Sequence, residues 1–440
     1  MTTRFCRVEG TLEGRIGFEL WLPATARWNG RLLGAGVGGD AGYYNYVDLA
    51  RGVEAGYAAI TNDSGHKDTE AHWMMRPEAV ADYTHRSQHL MNQAGRALVT
   101  AYYGNSAHHA YFIGCSGGGR QALKEMQRYP EDYDGVIAAA GAPTMPIMSA
   151  RHLWQGLYQQ QHPEGVLDDA HWNLVARAAV KACDARDGVV DGVVENPAAC
   201  HAPLDSLRCR KGQTQECLSA AQLDTVRRFY APLRDEDGKQ LDHGLVAGVR
   251  TRPGPPSPLL LPFFAEGAHH DPSWTASQFN IRDDLALAKH EMPEMQADSI
   301  ALAPFAARKG RAILYQGWMD PSVVAHQSID YFDRVRADMG AAWTDEHLRL
   351  YMVPGMLHCR GGDGVDQFGG ASDPRPIGDA SGDLLAALTQ WVENGHAPTG
   401  IEAVRSEAGA VTRRRLLCAY PKTAHFLGGD SNDPKRYQCR

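Results

Sequence analysis

Residues 110–141 read AYFIGCSGGGRQALKEMQRYPEDYDGVIAAAG and decide the fold. The apolar, β-rich run 110–114 predicts a strand, and the small residues after it are typical of a tight turn. A helix is predicted over 118–129, where Pro130 ends it, and the fully apolar run 135–141 predicts a second strand. A strand, a helix and a buried strand in this order indicate a parallel sheet covered by helices on both faces.

The same alternation continues on both sides of this stretch. Further strands are predicted at 15–22, 31–34, 56–61, 312–317 and 347–353, and further helices at 79–103 and 323–339. Between residues 144 and 311 lie 168 residues, whereas one crossover needs only about ten to thirty. We therefore expect an inserted domain between the two halves of an α/β domain.

Composition excludes several classes of function. The 440 residues include 44 Lys and Arg against 52 Asp and Glu, which gives a net charge of −8 without a basic block. A surface that tracks phosphates is therefore not expected, and nucleic acid is not a predicted partner. No apolar run approaches the roughly 18 residues of a membrane-spanning helix, so a soluble protein with no membrane partner is predicted.

The nine cysteines indicate disulfides. Four of them crowd into a short segment, two lie at the end of the chain, and neither a C-x-x-C pair nor zinc-like histidine spacing accompanies them: Cys183, Cys200, Cys209, Cys217, Cys418 and Cys439. Disulfides predict an oxidising compartment, hence a secreted or periplasmic protein whose signal segment has been removed. The odd cysteine, Cys6, is expected either to have lost a partner upstream or to be a free buried thiol.

The motif that carries chemistry is Gly114-Cys115-Ser116-Gly117-Gly118, which fits G-x-S-x-G between a predicted strand and a predicted helix. Such a turn exposes a serine hydroxyl above the sheet, and the N–H of the next residue, Gly117, points at a developing oxyanion. The alternative is a glycine-rich turn without chemistry. The order serine, acid, histidine along the chain favours a catalytic triad.

Asp320 and His358 complete the predicted triad, because each follows one of the two late strands. Other candidates are less suitable: Asp330, Asp333 and His326 fall within a predicted helix, and His396 lies in a late loop.

Cys115 precedes the serine and Cys359 follows the histidine, so a triad brings both within the Cα separation of about 4.4–6.8 Å that a disulfide needs. The alternatives are two unrelated buried thiols or, less plausibly, Cys115 as the nucleophile.

A second constellation lies in the insert. Asp184, Asp187 and Asp191 are spaced by three and four residues among glycines, which suits a hard cation with oxygen ligands. The spacing is not that of an EF-hand, and a solvated acidic turn is the alternative.

Together, residues 114–120 (GCSGGGR), the following RYPEDYDGVIAAAGAP, the upstream ARWNGRLLGAGVGGDAGY and TNDSGH, and the Asp-Pro and His-Cys pairs resemble the tannase and feruloyl esterase family over nearly the whole chain. One departure is Gly117, where many members carry threonine, although only a backbone N–H is needed there. The resemblance implies an α/β-hydrolase core at residues 1–143 and 298–440, with a lid domain that carries the calcium loop at 144–297. It also implies that lid aromatics cover the acyl ring.

The family likeness further implies site residues. The second oxyanion donor is expected at Gly39, with Gly38 an adjacent possibility. Structural calcium is expected on the carboxylates of Asp184, Asp187 and Asp191 and the carbonyls of Val189 and Val193. Sequence proximity and the resemblance together favour three further bridges: Cys183 to Cys200, Cys209 to Cys217, and Cys418 to Cys439.

We therefore predict a secreted serine carboxylesterase that acts on small esters of aromatic acids such as hydroxycinnamates or gallates. The alternatives are a peptidase, another acyl hydrolase or an acyltransferase on the same turn, and an inert calcium-stabilised binding module. The acyl group, the alcohol and the oligomeric state cannot be read from the sequence.

Overall fold

The protein is described here from a computed structural model, which covers residues 3–251 and 260–440. Twelve strands are present in these ranges: β1 (Phe5–Leu12), β2 (Ile16–Pro23), β3 (Arg31–Ala35), β4 (Ala58–Asn62), β5 (His109–Cys115), β6 (Gly135–Ala139), β7 (Arg311–Gly317), β8 (Leu348–Val353), β9 (Gly400–Glu407), β10 (Ala410–Cys418), β11 (Ala424–Phe426) and β12 (Tyr437–Cys439).

Twelve α-helices are present in the same ranges: α1 (Tyr46–Glu54), α2 (Pro77–Ala81), α3 (Ser87–Tyr103), α4 (Gly117–Arg128), α5 (Met145–Gln161), α6 (Asp169–Cys183), α7 (Ala220–Tyr230), α8 (Ile281–Glu291), α9 (Ala303–Ala307), α10 (His326–Met339), α11 (Ala341–His347) and α12 (Leu384–Asn394). Within the described chain, no helix is both long and apolar enough to cross a membrane.

Eight strands form the central sheet in the order β1-β2-β4-β3-β5-β6-β7-β8. β1 and β2 are antiparallel to each other, β2 is antiparallel to β4, and all later neighbours are parallel. The parallel strands β4, β5 and β6 are apolar almost throughout because helices cover both faces. The predicted α/β-hydrolase fold is confirmed, and the carboxyl ends of β5, β7 and β8 meet at one edge of the sheet.

The predicted helix over 79–103 is interrupted by a π-helical turn. α2 and α3 are joined by the π-helical segment Asp82–Arg86. The turn holds the buried carboxylate of Asp82 against Arg15 at 2.5 Å and Arg86 at 2.8 Å. It also lets the hydroxyl of Tyr83 reach the carbonyl of Gly39 at 2.9 Å. The interruption therefore positions a loop that borders the serine turn.

The chain between β6 and β7 holds helices α5 to α9, and its described residues add no strand to the sheet. Part of it packs on the core, since Phe263 and Phe264 share an apolar cluster with Val37 and Tyr83. Another part has its own cluster around Trp172. The insertion is thus observed, whereas the division into domains at 143/144 and 297/298 stays a prediction; residues 252–259 lie outside the described chain.

Glycines fix the turn between β5 and α4 because backbones approach closely there. A Cβ at Gly114 would stand 2.3 Å from the carbonyl oxygen of Gly118, and one at Gly119 would stand 2.1 Å from that of Ala139. A Cβ at Gly118 would lie 3.0 Å from the carbonyl carbon of Gly36. Any side chain at these positions would push the helix away from the strand ends.

We expect Gly119→Ala to destabilise the protein by about 1–3 kcal/mol, because the methyl group overpacks against the carbonyl of Ala139. Urea denaturation measures the loss. Gly378→Ala is the control, since the nearest atom to its Cβ is 3.9 Å away. Equal stability of the two variants would contradict the role of close packing at this turn.

Candidate active site

Ser116 occupies the turn between β5 and α4 in a strained conformation. Its φ of 59° and ψ of −122° lie outside the regions that non-glycine residues usually adopt. Strain of this kind amounts to about 1–3 kcal/mol and persists only where the surroundings enforce it. Here the N–H of Ser116 donates to the carbonyl of Ala139 at 2.9 Å. The serine therefore stands at the N-terminus of α4, above the edge of the sheet.

Asp320 and His358 are paired beside this turn. The Nδ1–H of His358 donates to Oδ2 of Asp320 at 2.7 Å. The Asp320 carboxylate is buried and also accepts from the Gln316 amide at 2.8 Å and from the N–H groups of Ser322 and Val323 at 2.8 and 3.0 Å. These donors hold the carboxylate in one orientation, which in turn fixes the ring of His358.

The pKa of His358 is raised above its usual value of 6.5. Burial alone would lower the pKa, since it disfavours the imidazolium. The charge of Asp320 and its hydrogen bond outweigh this effect. The pair is therefore arranged to stabilise a protonated ring.

A disulfide joins Cys115 to Cys359, with the two Cα atoms 5.9 Å apart. Because neighbouring Cα atoms are about 3.8 Å apart, the Cα atoms of Ser116 and His358 lie within roughly 14 Å of each other. Both side chains line the same cleft. The structure thus places the three residues of the predicted triad at one site.

The predicted oxyanion donors lie beside each other, since a Cβ on Gly117 would stand 2.8 Å from the carbonyl oxygen of Gly39. Gly117 is the first residue of α4, where backbone N–H groups lack intrahelical partners. A Cβ on Gly38 would lie 3.7 Å from Cβ of Ser116, so the loop at Gly38 and Gly39 borders the serine. In the described ranges, no acceptor faces the N–H of Gly39. Both N–H groups are therefore available to a ligand.

Asp40 follows this loop, and the sequence did not single it out. Burial raises the pKa of its carboxyl to about 7. No described side chain hydrogen-bonds to this carboxyl. A largely neutral acid consequently stands next to the oxyanion loop below neutral pH.

The cleft above Ser116 has a volume of about 760 Å³, within the range of small-molecule sites. Tyr43, Tyr44, Tyr46 and Val47 form one wall, and Tyr43 and Tyr46 are 48% and 47% exposed. The described aromatic side chains of this wall thus come from the loop before α1 and the start of that helix. We expected aromatic side chains of the insert to cover the substrate ring, but the described tyrosines of this wall belong to the core.

The insert contributes Met148, His152 and Leu260 to the cleft. Its aromatic residues Phe263 and Phe264 are fully buried in the apolar cluster instead. Because those rings fill the interface between insert and core, they are unavailable to a ligand.

His152 is a cleft residue that sequence reasoning missed. Its Nε2–H donates to the carbonyl of Ser322 at 2.8 Å, next to the Asp320 loop. Burial lowers the pKa of His152, so the ring stays neutral. No local pattern could have found it, because α5 approaches the triad only through the tertiary fold.

The competing acids and histidines lie elsewhere. Asp330 pairs with His243 at 3.1 Å, and His326 stacks on the same imidazole at 4.8 Å between ring centres. Asp330 and Asp333 line a separate cleft. His396 lies in the loop after α12.

The acidic loop of the insert follows α6. Asp184 accepts from the N–H groups of Asp191 and Gly192 at 3.2 and 2.9 Å, and Asp187 accepts from that of Val189 at 3.2 Å. Burial and the charge of Asp184 raise the pKa of Asp187. Within the described chain, no N–H donates to the carbonyls of Val189 and Val193.

Two arginines of β10 contact this loop. Arg413 lies 3.0 Å from the carboxylate of Asp191, and Arg415 contacts the same carboxylate. Glu195 lies beside the loop, and burial raises its pKa to about 8. Three aspartates and the largely neutral Glu195 therefore face two arginines, which leaves more carboxyl oxygens than the arginines pair with.

A cluster of possible metal ligands lies outside the acidic loop. Among the described residues, His89, Glu131 and Asp132 bring their ligand atoms within 4.8 Å of one another. The His89 ring donates to Asp132 at 2.7 Å and stacks on Tyr129 at 4.1 Å. These contacts account for its position without an ion.

Three further disulfides are present: Cys183–Cys200, Cys209–Cys217 and Cys418–Cys439. Cys6 is free and exposed on β1. The expectation of a buried thiol is therefore wrong, because alternate residues of this edge strand point to solvent.

In this chain the serine follows the fifth strand, the aspartate follows the seventh and the histidine follows the eighth. This is the arrangement found in α/β-hydrolase enzymes. A sequence model described as tannase and feruloyl esterase matches residues 1–252 and 269–440. The chain therefore belongs to the tannase and feruloyl esterase family and is a carboxylic ester hydrolase.

Individual relatives agree with this assignment. The chain is 32% identical over 441 residues to a probable feruloyl esterase B-1 of Aspergillus flavus, covering 96% of this chain and 83% of that protein. It is 30% identical to feruloyl esterase C of Talaromyces stipitatus, covering 97% and 83%. The crystal structure of feruloyl esterase B from Aspergillus oryzae superposes with a TM-score of 0.93 at 27% identity, covering 100% of this chain and 90% of that one.

We expect Asp320→Asn to lower the pKa of His358, because it removes the charge that raises this pKa while burial remains. A pH titration of the imidazole resonance by NMR, assigned with His358→Gln, measures the change. Asp330→Asn is the control and should leave the midpoint of His358 unchanged, because Asp330 pairs with His243 in a different cleft. An unchanged midpoint in Asp320→Asn would show that the carboxylate does not govern the ring.

Proposed function

We propose that the protein is a serine esterase that hydrolyses esters of aromatic carboxylic acids through an acyl-enzyme. The observation that carries this proposal is the strained Ser116, tied through the Cys115–Cys359 bridge to the His358–Asp320 pair. Strain at a serine above a sheet edge has a chemical use, because it exposes the hydroxyl to a ligand and to a base.

In the proposed reaction, Oγ of Ser116 attacks the ester carbonyl while Nε2 of His358 accepts the hydroxyl proton. The imidazolium then returns this proton to the leaving alcohol as the carbon–oxygen bond breaks. Water attacks the acyl-enzyme in the second half, His358 takes its proton and gives it back to Ser116, and the free acid leaves. Asp320 stays ionised throughout and stabilises the imidazolium.

The negative charge of each tetrahedral intermediate is stabilised by the N–H groups of Gly117 and Gly39. Both groups border Ser116, and the N-terminus of α4 adds a favourable potential. His358 acts as a base only in its neutral form. Because its pKa is raised, activity should fall as the pH drops through that value.

An aromatic substrate is favoured by the wall of tyrosines. The hydroxyl of Tyr46 donates to Glu19 at 2.7 Å, and that of Tyr43 donates to the carbonyl of Gly38 at 3.3 Å. These bonds hold the rings in place, while close to half of each side chain stays exposed. Fixed, exposed rings beside a nucleophile suit a flat aromatic group by stacking.

We further propose that calcium binds the loop at Asp184–Asp187 and its continuation to Val193. The donor types fit a hard cation, because the loop carries three carboxylates and two carbonyls to which no N–H of the described chain donates. A bound ion would neutralise the Asp191 carboxylate in place of Arg415. The Arg415 side chain would therefore have to move away from this carboxylate. Bound calcium would stabilise the insert against β10, and no step of the ester chemistry needs it.

A secreted or periplasmic location accords with this function. Four disulfides among the described cysteines suit an oxidising compartment. Of the alternatives, a peptidase or an acyltransferase would use the same three residues and is separated by amide substrates and by added acceptor alcohols. An inert binding module would leave the strain at Ser116 without a use.

We expect Ser116→Ala to lower ester turnover by several orders of magnitude, because the nucleophile is lost. Hydrolysis of methyl ferulate and methyl gallate, followed by chromatography of the free acids, measures the effect. An active-site-directed phosphonate should label the parent protein at Ser116 only.

Ser277→Ala, at an exposed position of the insert, is the matched control and should keep full turnover and labelling. Turnover within tenfold of the parent in Ser116→Ala would sink the proposed mechanism. A parent that resists the phosphonate and hydrolyses no ester would favour the binding module.

Removal of calcium should lower the melting temperature without stopping the chemical step. A ligand specific for the folded state stabilises it by about 2.7 kcal/mol at a hundredfold excess over Kd. Asp187→Asn should melt like the chelated parent and ignore added calcium. Asp235→Asn, in an exposed turn, is the control.

Calorimetry with and without chelator, together with metal analysis of the folded protein, decides between the possible outcomes. If the folded protein contains no metal, the loop is a solvated acidic turn paired with arginines, and the calcium proposal is wrong. Immediate loss of turnover on chelation, with the fold intact, would make the metal catalytic.

A further inference from the structure

Arg360 lies on the wall of the catalytic cleft, two residues after His358. Among the described residues that line this cleft, it alone carries a permanent charge. Arg360 has no role in the proposed reaction, because the triad and the oxyanion donors are sufficient for ester hydrolysis. Its charge is also unusual locally, since the segment 43–47 contributes only uncharged residues to the cleft.

The guanidinium of Arg360 is not neutralised by the protein. Its Nη1 donates to the carbonyl oxygen of Ser372 at 3.1 Å. No carboxylate of the described chain pairs with it. Arg375 provides the contrast, since it binds the buried carboxylate of Asp373 at 2.9 Å. The remaining N–H groups of Arg360 are therefore free to bind an anion.

The backbone that carries Arg360 is tightly held. The N–H of Arg360 donates to the carbonyl of His358 at 2.8 Å, and that of Leu357 donates to the carbonyl of Gly361 at 3.1 Å. Gly361 donates to the carboxylate of Asp366 at 2.9 Å, and the adjacent Cys359 is bridged to Cys115. The charge thus projects from a fixed loop.

Ser372 supplies a second donor beside the arginine. Its N–H binds the buried carboxylate of Asp48 at 2.9 Å, which anchors the residue, and its side chain lines the cleft. The described residues offer its hydroxyl no partner. The guanidinium of Arg360 donates to the backbone of Ser372, so the charge and the hydroxyl belong to neighbouring residues of the cleft wall. Both groups donate hydrogen bonds, and a carboxylate accepts from donors of these two kinds.

We propose that Arg360 and the Ser372 hydroxyl form a subsite for a carboxylate of the substrate. The preferred substrate is then an aromatic ester that carries a free carboxylate in addition to the ester group. This proposal rests on the proposed esterase function of the cleft. It further specifies that the preferred ester is negatively charged. The carboxylate belongs either to the acyl half, as in a monoester of an aromatic dicarboxylic acid, or to the alcohol half, as in an ester of a hydroxy acid.

Two matched substrate pairs test the subsite and separate its two sources. For the acyl half, monomethyl terephthalate is compared with methyl para-carbamoylbenzoate. For the alcohol half, the benzoyl ester of glycolic acid is compared with that of glycolamide. Each pair keeps the ring and the ester and replaces only a carboxylate by a carboxamide. We expect the parent to favour the carboxylate in one pair by about 10- to 100-fold in kcat/KM.

Arg360→Gln should bring this ratio to about one, mainly by raising KM for the carboxylate substrate. Its kcat/KM on the carboxamide should stay within about threefold of the parent, since the triad is intact. Arg360→Lys should retain part of the preference, because it keeps the charge and loses the paired geometry. Arg308→Gln, exposed and distant in sequence from the cleft, makes the same change of net charge and should leave the ratio unaltered.

A binding measurement makes the test independent of turnover. Calorimetry on the Ser116→Ala variant, which lacks the proposed nucleophile, compares the carboxylate ester with the carboxamide ester of each substrate pair. The measurement is repeated on the double variant that also carries Arg360→Gln. Tighter binding of a carboxylate that Arg360→Gln abolishes supports the subsite even if no ester is hydrolysed, in which case only the proposed function fails. Equal affinity for carboxylate and carboxamide in the parent, or a preference that survives Arg360→Gln, overturns the subsite.

Discussion

The close approach of backbones around the serine turn is the constraint on which the rest of the site depends. Gly114, Gly118 and Gly119 allow α4 to begin directly against β5, β6 and the loop after β3. This contact forces Ser116 into its strained conformation and sets the Gly38–Gly39 loop beside it. The proposed nucleophile, the helix terminus and the proposed second oxyanion donor are therefore positioned by one packing arrangement rather than by separate ones.

The Cys115–Cys359 bridge extends this arrangement to the other end of the sheet. The two cysteines are 244 residues apart in sequence, and the whole insert lies between them. The bridge joins the serine turn directly to the loop of His358, so these two segments are connected without the insert. The insert contacts the site at the third segment, where His152 hydrogen-bonds to Ser322 beside Asp320.

The places of the three proposed triad residues in the fold could be predicted from sequence because their signals are local. A strand, small residues and a helix surround Ser116, while Asp320 and His358 follow apolar strands. The edge strand β1 and the hairpin of β9 and β10 were missed, since their largely exposed residues lack an apolar run. The wall of tyrosines, His152 and Arg360 could not be predicted as cleft residues, because only the tertiary fold brings their segments together.

The chain segments that form the cleft walls affect how substrate specificity can arise. The tyrosines follow the oxyanion loop by only a few residues, and Arg360 follows the histidine by two. Segments that line the cleft are thus continuous with the segments that carry the proposed catalytic groups. A shift of either loop would change the cleft wall and the placement of a proposed catalytic group together, which would couple substrate preference to turnover rate. The insert touches the cleft through Met148, His152 and Leu260. Because His152 is hydrogen-bonded to the loop of Asp320, Met148 and Leu260 are the insert positions at which the cleft wall can change while that loop keeps its contacts.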